Sequence, residues 1–273
     1  MEEVLQARAS YDKRQMPYDY EPTVSITPVM IEGVNCYWFT PEDPLPGRII
    51  IFLHGGGFAM GSVKTHGMMV THFAKALQAK ILFIEYALAP EHPFPAGLTD
   101  VVTVYRELTN RYPGSQINLI GDSAGGSLIV SAVAEMLKIH LPLPKAVVLI
   151  SPWVSLECDY PSIEENAHLD ISLSREALLL FARAYTGNLP IEVSSPNKAL
   201  LTQFPPVLIM VGTHEILLDD SKHFYNDIKN IQGRSRLSIY NDQPHVWLKK
   251  DIHKEASRRA LAEIADFIGT CKS

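Results

Sequence analysis

The sequence predicts an α/β fold with a mostly parallel central sheet flanked by helices. Short runs of Ile, Val and Leu alternate with helix-length amphipathic stretches, as expected of strands buried on both faces with crossover helices between them. Glycine-rich turns follow two of these runs, at Gly55–Gly57 and around Gly121–Gly126. The 273 residues are 47% hydrophobic and 20% charged, enough to bury one sizeable core with an insertion.

In chain order, Thr23–Thr40 holds two β-rich stretches about Glu32-Gly33, which predict an antiparallel hairpin at the sheet edge. Strands follow at Arg48–Leu53, Lys80–Tyr86, Gln116–Ile120, Ala146–Ser151, Pro206–Val211 and Arg236–Tyr240. Between them the helical period predicts helices at Met68–Gln78, Gly97–Arg111, Ala124–Lys138, Ser221–Ile231 and His253–Ile268. From about Leu156 to Ser195 the alternation stops. The strongest pattern there is an amphipathic helix over Ser174–Tyr185, opened by a capping serine. Residues 1–22 are polar with helical character. The expected organisation is a cap layer of residues 1–22 and 156–195 on a catalytic body of residues 23–155 and 196–273.

The formal net charge is −6, which points to neither a nucleic-acid nor an anionic-membrane partner. The basic residues near the end (Lys249, Lys250, Lys254, Arg258, Arg259) alternate with Glu255 and Glu263 and read as a solvated face. Cys36, Cys158 and Cys271 are odd in number and widely spaced, so they read as free thiols in a reducing compartment. Met1–Arg14 is charged and lacks the apolar run of a secretory leader, and no segment approaches the ~20 apolar residues of a membrane span. A cytoplasmic protein is expected. No H-E-x-x-H or other ligand spacing occurs, so neither metal nor cofactor is implied.

Gly121-Asp122-Ser123-Ala124-Gly125 fits G-x-S-x-G between a strand and a helix. That context suits a nucleophilic serine on a sharp turn, whose flanking side chains would clash if large. Taken alone, the pattern also suits a tight junction with a small buried serine. His54-Gly55-Gly56-Gly57-Phe58 follows an earlier strand. Three consecutive glycines are costly in chain entropy unless the backbone must approach a ligand closely. A phosphate cradle would need a following Gly-Lys-Ser/Thr, which is absent. An oxyanion loop remains, completed by the N–H of Ala124 after the serine.

A serine nucleophile needs a histidine base, expected on the loop after the last strand. Among ten histidines, His245 has that place, in Asn241-Asp242-Gln243-Pro244-His245. The orienting acid is expected after Pro206–Val211, where Glu215, Asp219 and Asp220 are candidates. Glu215 is nearest the strand end, whereas the aspartates also suit a helix cap. Glu215 is favoured and Asp219 is its rival.

Together these residues resemble the hormone-sensitive-lipase-like family of α/β-hydrolases. Four blocks carry the resemblance: His54-Gly55-Gly56-Gly57 with Gly61-Ser62, Tyr86 through Ala96 (YALAPEHPFPA), Gly121-Asp122-Ser123-Ala124-Gly125-Gly126, and Pro244-His245. The resemblance implies the α/β-hydrolase fold with a helical cap, and an oxyanion hole from the N–H groups of Gly56, Gly57 and Ala124. It implies hydrolysis of short- to medium-chain carboxylic esters through Ser123, Glu215 and His245, and for some members a homodimer through a sheet-edge strand. The family's acid is an Asp in a D-P-L-x-D block, which here reads Glu215-Ile216-Leu217-Leu218-Asp219. That departure leaves Asp219 open. The same apparatus serves amidases, formamidases and thioesterases, and some members of the fold bind ligands without catalysis. Phe58, Trp153, Asn166, Asp170 and Phe181 are candidates for lining the substrate pocket.

Overall fold

The computed structural model describes residues 1–14, 17–113, 116–196 and 201–271, so residues 15 and 16 of the expected N-terminal cap segment lie outside it. The first strands, β1 (Val24–Ile31) and β2 (Val34–Pro41), form the expected hairpin. Its two turn residues, Glu32 and Gly33, both take positive φ (48° and 83°). This is the primed-turn geometry that matches strand twist.

The remaining strands are β3 (Arg48–Leu53), β4 (Lys80–Ile84), β5 (Gln116–Asp122), β6 (Val147–Ile150), β7 (Val207–Gly212) and β8 (Arg236–Tyr240). The sheet order is β1-β2-β4-β3-β5-β6-β7-β8. The β1–β2 and β2–β4 pairs are antiparallel, and every pair from β4 through β3 to β8 is parallel.

Strand alternation divides the apolar residues between two cores. On β3, Ile49, Ile51 and Leu53 face one core and Ile50 and Phe52 the other. The first core is closed by α3 (Ala96–Arg111), α4 (Ala124–Lys138) and α8 (Leu218–Ile228). The second is closed by α2 (Val63–Leu77) and α10 (Glu255–Thr270). Both faces of the central strands β3, β4, β6 and β7 are therefore dry, which is why they read as continuous apolar runs, whereas β8 at the edge is partly exposed.

Most predicted boundaries fall within about two residues of those observed. Two helices start earlier than their apolar period suggests. α2 begins at Val63, not Met68, because Ser62 N–H donates to Thr65 Oγ1 (2.9 Å) and fixes the first turn ahead of Gly67. α8 begins at Leu218, not Ser221, which puts Asp219 and Asp220 in its first turn, where negative charge meets the positive end of the helix dipole.

Residues 156–195 contain no strand. They form α5 (Ser162–Glu165), α6 (Arg175–Thr186) and α7 (Ile191–Ser194), and Ser174 Oγ caps α6 by accepting from Ala177 N–H (3.2 Å). The N-terminal helix α1 (Glu2–Tyr11) packs against α6. Arg8 fastens it, donating to Ala59 O (2.6 Å), Ala89 O (2.5 Å) and the Glu91 carboxylate (2.7 Å). No helix among the described residues is long and apolar enough to cross a membrane.

Candidate active site

Loops at the carboxyl ends of β3, β5, β7 and β8 converge beside the point where strand order reverses, the usual site of chemistry in open α/β sheets. Ser123 follows β5 directly. Its backbone is held at φ 51°, ψ −120°, a strained conformation for a non-glycine residue. Gly125 allows this sharp turn to lie against β3, because a Cβ there would sit 2.0 Å from Leu53 O. Ser123 is nearly buried, and its carbonyl accepts from Gly126 N–H (2.9 Å) and Trp153 N–H (3.2 Å).

His245 stands on the loop between β8 and the short helix α9 (Trp247–Lys250). Its Nε2 lies 3.0 Å from Ser123 Oγ and its Nδ1 lies 2.8 Å from Glu215 Oε2. Glu215 is fully buried, and its other oxygen accepts from Gly212 N–H (2.6 Å) and Ser151 Oγ–H (2.7 Å). With Oε1 filled by two donors, Oε2 is left to the imidazole. That choice fixes Nδ1 as the protonated nitrogen and leaves Nε2 to accept from the serine. The Ser151 hydroxyl also accepts from Val246 N–H (3.1 Å), which ties the loop of the base to the acid.

The other acid candidates lie elsewhere. Asp219 accepts from Ser162 N–H (3.0 Å) and pairs with Lys222 (3.0 Å). Asp220 accepts from Val154 N–H and Ser155 N–H, both at 2.8 Å. Asp220 therefore fastens α8 to the loop after β6, and Asp219 fastens it to the start of α5.

In the glycine loop, Gly56 and Gly57 have φ of 124° and 61° and line the cavity beside Ser123. A Cβ on Gly57 would meet the Phe181 ring at 2.7 Å. Ala124 opens α4, so its N–H belongs to the first turn, which has no intrahelical acceptor. His54 is fully buried and supports the loop. Its ring stacks on Tyr86 (4.3 Å between centroids), while Tyr86 Oη–H donates to His54 O (2.6 Å). Burial, with His66 nearby, pushes His54 down to about 3, so it stays neutral.

The Tyr86–Ala96 block thus gains a physical role. Besides Tyr86, its Ala89 N–H donates to Phe58 O (2.9 Å) and its Phe94 N–H to Tyr185 O (2.7 Å), which links the glycine loop to α6.

A cavity of about 670 Å³ opens over Ser123. Trp153 and Phe181 line it, with Leu173, Ala177 and Leu178. Phe58 lies beneath, fully buried and stacked on Tyr185 (3.8 Å). Asn166 and Asp170 do not belong to that lining and hold the acid's loop instead. Asn166 Nδ2 donates to Glu215 O (2.7 Å) and Thr213 O (3.2 Å), and Asp170 Oδ2 accepts from Ile216 N–H (3.0 Å). The sequence reading missed Ser151 as well. Its position just past a buried parallel strand, β6, is the signal that could have marked it.

This sheet order, with a serine elbow after β5, an acid after β7 and a histidine after β8, defines an α/β hydrolase. A family profile described as alpha/beta hydrolase fold matches residues 50–249. An acetyl-hydrolase of Streptomyces hygroscopicus is 31% identical over 98% of this chain and 90% of its own length. The crystal structure of an esterase from the bacterial hormone-sensitive lipase family superposes with a TM-score of 0.89 at 31% identity, over 98% of this chain and 97% of the other. EstE5, in a crystal soaked in p-nitrophenyl butyrate, gives 0.92 at 31%, over 98% and 91%. The chain belongs to the hormone-sensitive-lipase family of α/β hydrolases.

Proposed function

We propose that the protein is a serine carboxylesterase acting on short- to medium-chain acyl esters. The reading is carried by the hydrogen-bonded run from Ser123 Oγ through His245 to Glu215, with contacts of 3.0 and 2.8 Å. Ser123 Oγ attacks the ester carbonyl carbon as its proton passes to His245 Nε2. The buried Glu215 carboxylate balances the imidazolium and holds its tautomer. The carbonyl oxygen becomes an oxyanion, bound by the N–H groups of Gly56, Gly57 and Ala124, each worth about 3 kcal/mol in the transition state. His245 then protonates the departing alcohol. Water attacks the acyl-serine with the same base, and the carboxylic acid leaves with the serine regenerated.

The apolar lining of Trp153, Leu178 and Phe181 supports the acyl-length reading. Residues 1–22 and 156–195 act as one cap layer over the body formed by 23–155 and 196–273, a reading supported by the contact of α1 with α6 and their shared part in the cavity lining. A cytoplasmic setting suits Cys36, Cys158 and Cys271, which are free and buried. The exposed edge strand β8 suits a homodimer.

The test is hydrolysis of p-nitrophenyl esters from acetate to palmitate, with Ser123→Ala in parallel. Turnover that peaks at short chains and vanishes in the variant is expected. A folded protein inactive on every ester, yet active on an anilide or thioester, would move the assignment to those substrates. Inactivity on all three would leave a binding protein.

A further inference from the structure

The cavity over Ser123 has two unlike halves. One is the apolar wall described above. The other carries Tyr11, Arg14, Thr65, Lys249 and Lys250, with Asp122 at its base. In a protein of net charge −6, three cationic side chains share this half. Asp122, one of three carboxylates that act on the two lysines, is buried, with His66 Nε2 between it and Lys249 (3.7 Å to Asp122 Oδ2, 3.2 Å to Lys249 Nζ). Lys249 Nζ also donates to the Tyr11 hydroxyl. Arg14 lies 5.4 Å over the Tyr11 ring, and Lys250 Nζ donates to Ser172 Oγ (2.7 Å).

Asp122 offsets part of the Lys249 charge, while among the described residues of the cavity lining Arg14 and Lys250 have no carboxylate hydrogen-bonded to them. Glu215 is taken by Gly212, Ser151 and His245, and Asp170 by the N–H groups of Ser172, Leu173 and Ile216. The cations also disfavour one another. Burial pushes Lys249 down to about 8 and lowers Lys250, and in each case Arg14 adds to the lowering while carboxylates oppose it. Gathered like charges of this kind are stabilised when an anion binds among them.

We propose that the substrate is an ester bearing an anionic group, a carboxylate or phosphate, seated among Arg14, Lys249 and Lys250 while its neutral part lies against Trp153, Leu178 and Phe181. This rests on the esterase reading above.

The test pairs anionic esters with neutral isosteres of the same shape. Monoethyl succinate is set against ethyl isocaproate for a charge on the acyl side. Acetoxyacetate is set against isobutyl acetate for a charge on the alcohol side, and the acetate ester of ethylene glycol monophosphate separates phosphate from carboxylate. In at least one pair, kcat/KM for the anionic ester exceeds that of its isostere by about tenfold, the size of one charge-assisted contact. That ratio falls with added salt, because exposed charges are screened. It collapses towards one in the double variant Arg14→Ser with Lys250→Ser, two exposed positions where folding is not at risk. Neutral esters that match or outrun their anionic partners in every pair, with no change in the double variant, overturn the anion site and leave the esterase reading standing. No turnover of any ester overturns both.

Discussion

Replacing Glu215 by glutamine changes one oxygen to an amide nitrogen at nearly constant volume, and the geometry dictates which way that amide turns. Glu215 Oε1 accepts from Gly212 N–H (2.6 Å) and Ser151 Oγ–H (2.7 Å). The glutamine oxygen must take that place, since an NH2 there would face the fixed backbone N–H of Gly212. The amide NH2 then points at His245 Nδ1, which has to become an acceptor. The imidazole proton moves to Nε2, the nitrogen 3.0 Å from Ser123 Oγ, where it can no longer take the serine's proton. The buried hydrogen bonds survive, so stability is largely kept. An acid-to-amide change that leaves geometry intact but reverses the tautomer costs about 10⁴-fold in kcat in a serine hydrolase studied this way, or about 5.5 kcal/mol of barrier. Steady-state hydrolysis of p-nitrophenyl acetate measures it, alongside Asp219→Asn. Asp219 bonds to Ser162 and Lys222, so that variant keeps turnover within a few-fold of the parent. An active Glu215→Gln with an inactive Asp219→Asn would refute the assignment of the acid.

Asn166→Ala removes the donors to Glu215 O and Thr213 O and loosens the acid's loop. It lowers kcat by roughly tenfold or more with little change in KM, since small misplacements of a catalytic group are costly; an equal loss on KM alone would contradict this. Phe52 is fully buried, stacked on Phe83 at 5.9 Å and edge-on to Phe73 at 6.0 Å. Phe52→Ala costs about 3–5 kcal/mol in urea unfolding, and a loss under about 1 kcal/mol would mean the second core repacks freely. His54 is held down to about 3 by burial, so below about pH 6.5 the unfolded chain binds a proton that the folded chain refuses. The folded state therefore loses up to about 1.4 kcal/mol per pH unit as pH falls from about 6.5 towards about 3. The slope of unfolding free energy against pH shrinks by about that amount in His54→Gln, and an unchanged slope would show that His54 is not the group responsible.

The chain's local chemistry fixed the positions of Ser123 and the glycine loop. A strained strand-to-helix turn tolerates only small neighbours, and three consecutive glycines are costly without a reason. These constraints act over a few residues, so they can be read from sequence. The parallel sheet was legible for a similar reason, since strands dry on both faces must be continuous runs of Ile, Val and Leu. Helix starts at Val63 and Leu218 were less legible, because their first turns are held by a cap and a dipole and not by the apolar period.

The sequence favoured Glu215 over Asp219 and Asp220 as the acid that reaches His245, from its place nearest the strand end, but left Asp219 open. The three are neighbours in the chain, and each is an acid near a helix start. The choice depends on where β7 ends relative to β8 and on the donors at Gly212 and Ser151 that turn one carboxylate inward. The same holds for Asn166 and Asp170, which looked like pocket lining but fold back onto the acid's loop. It holds too for Arg14 and Lys249, far apart in sequence yet on one wall of one cavity. Sequence determined what each segment is. Only the packing of α1, α6 and the loops after β7 and β8 decided which side chains meet, because those distances are set by long-range contacts that no local pattern encodes.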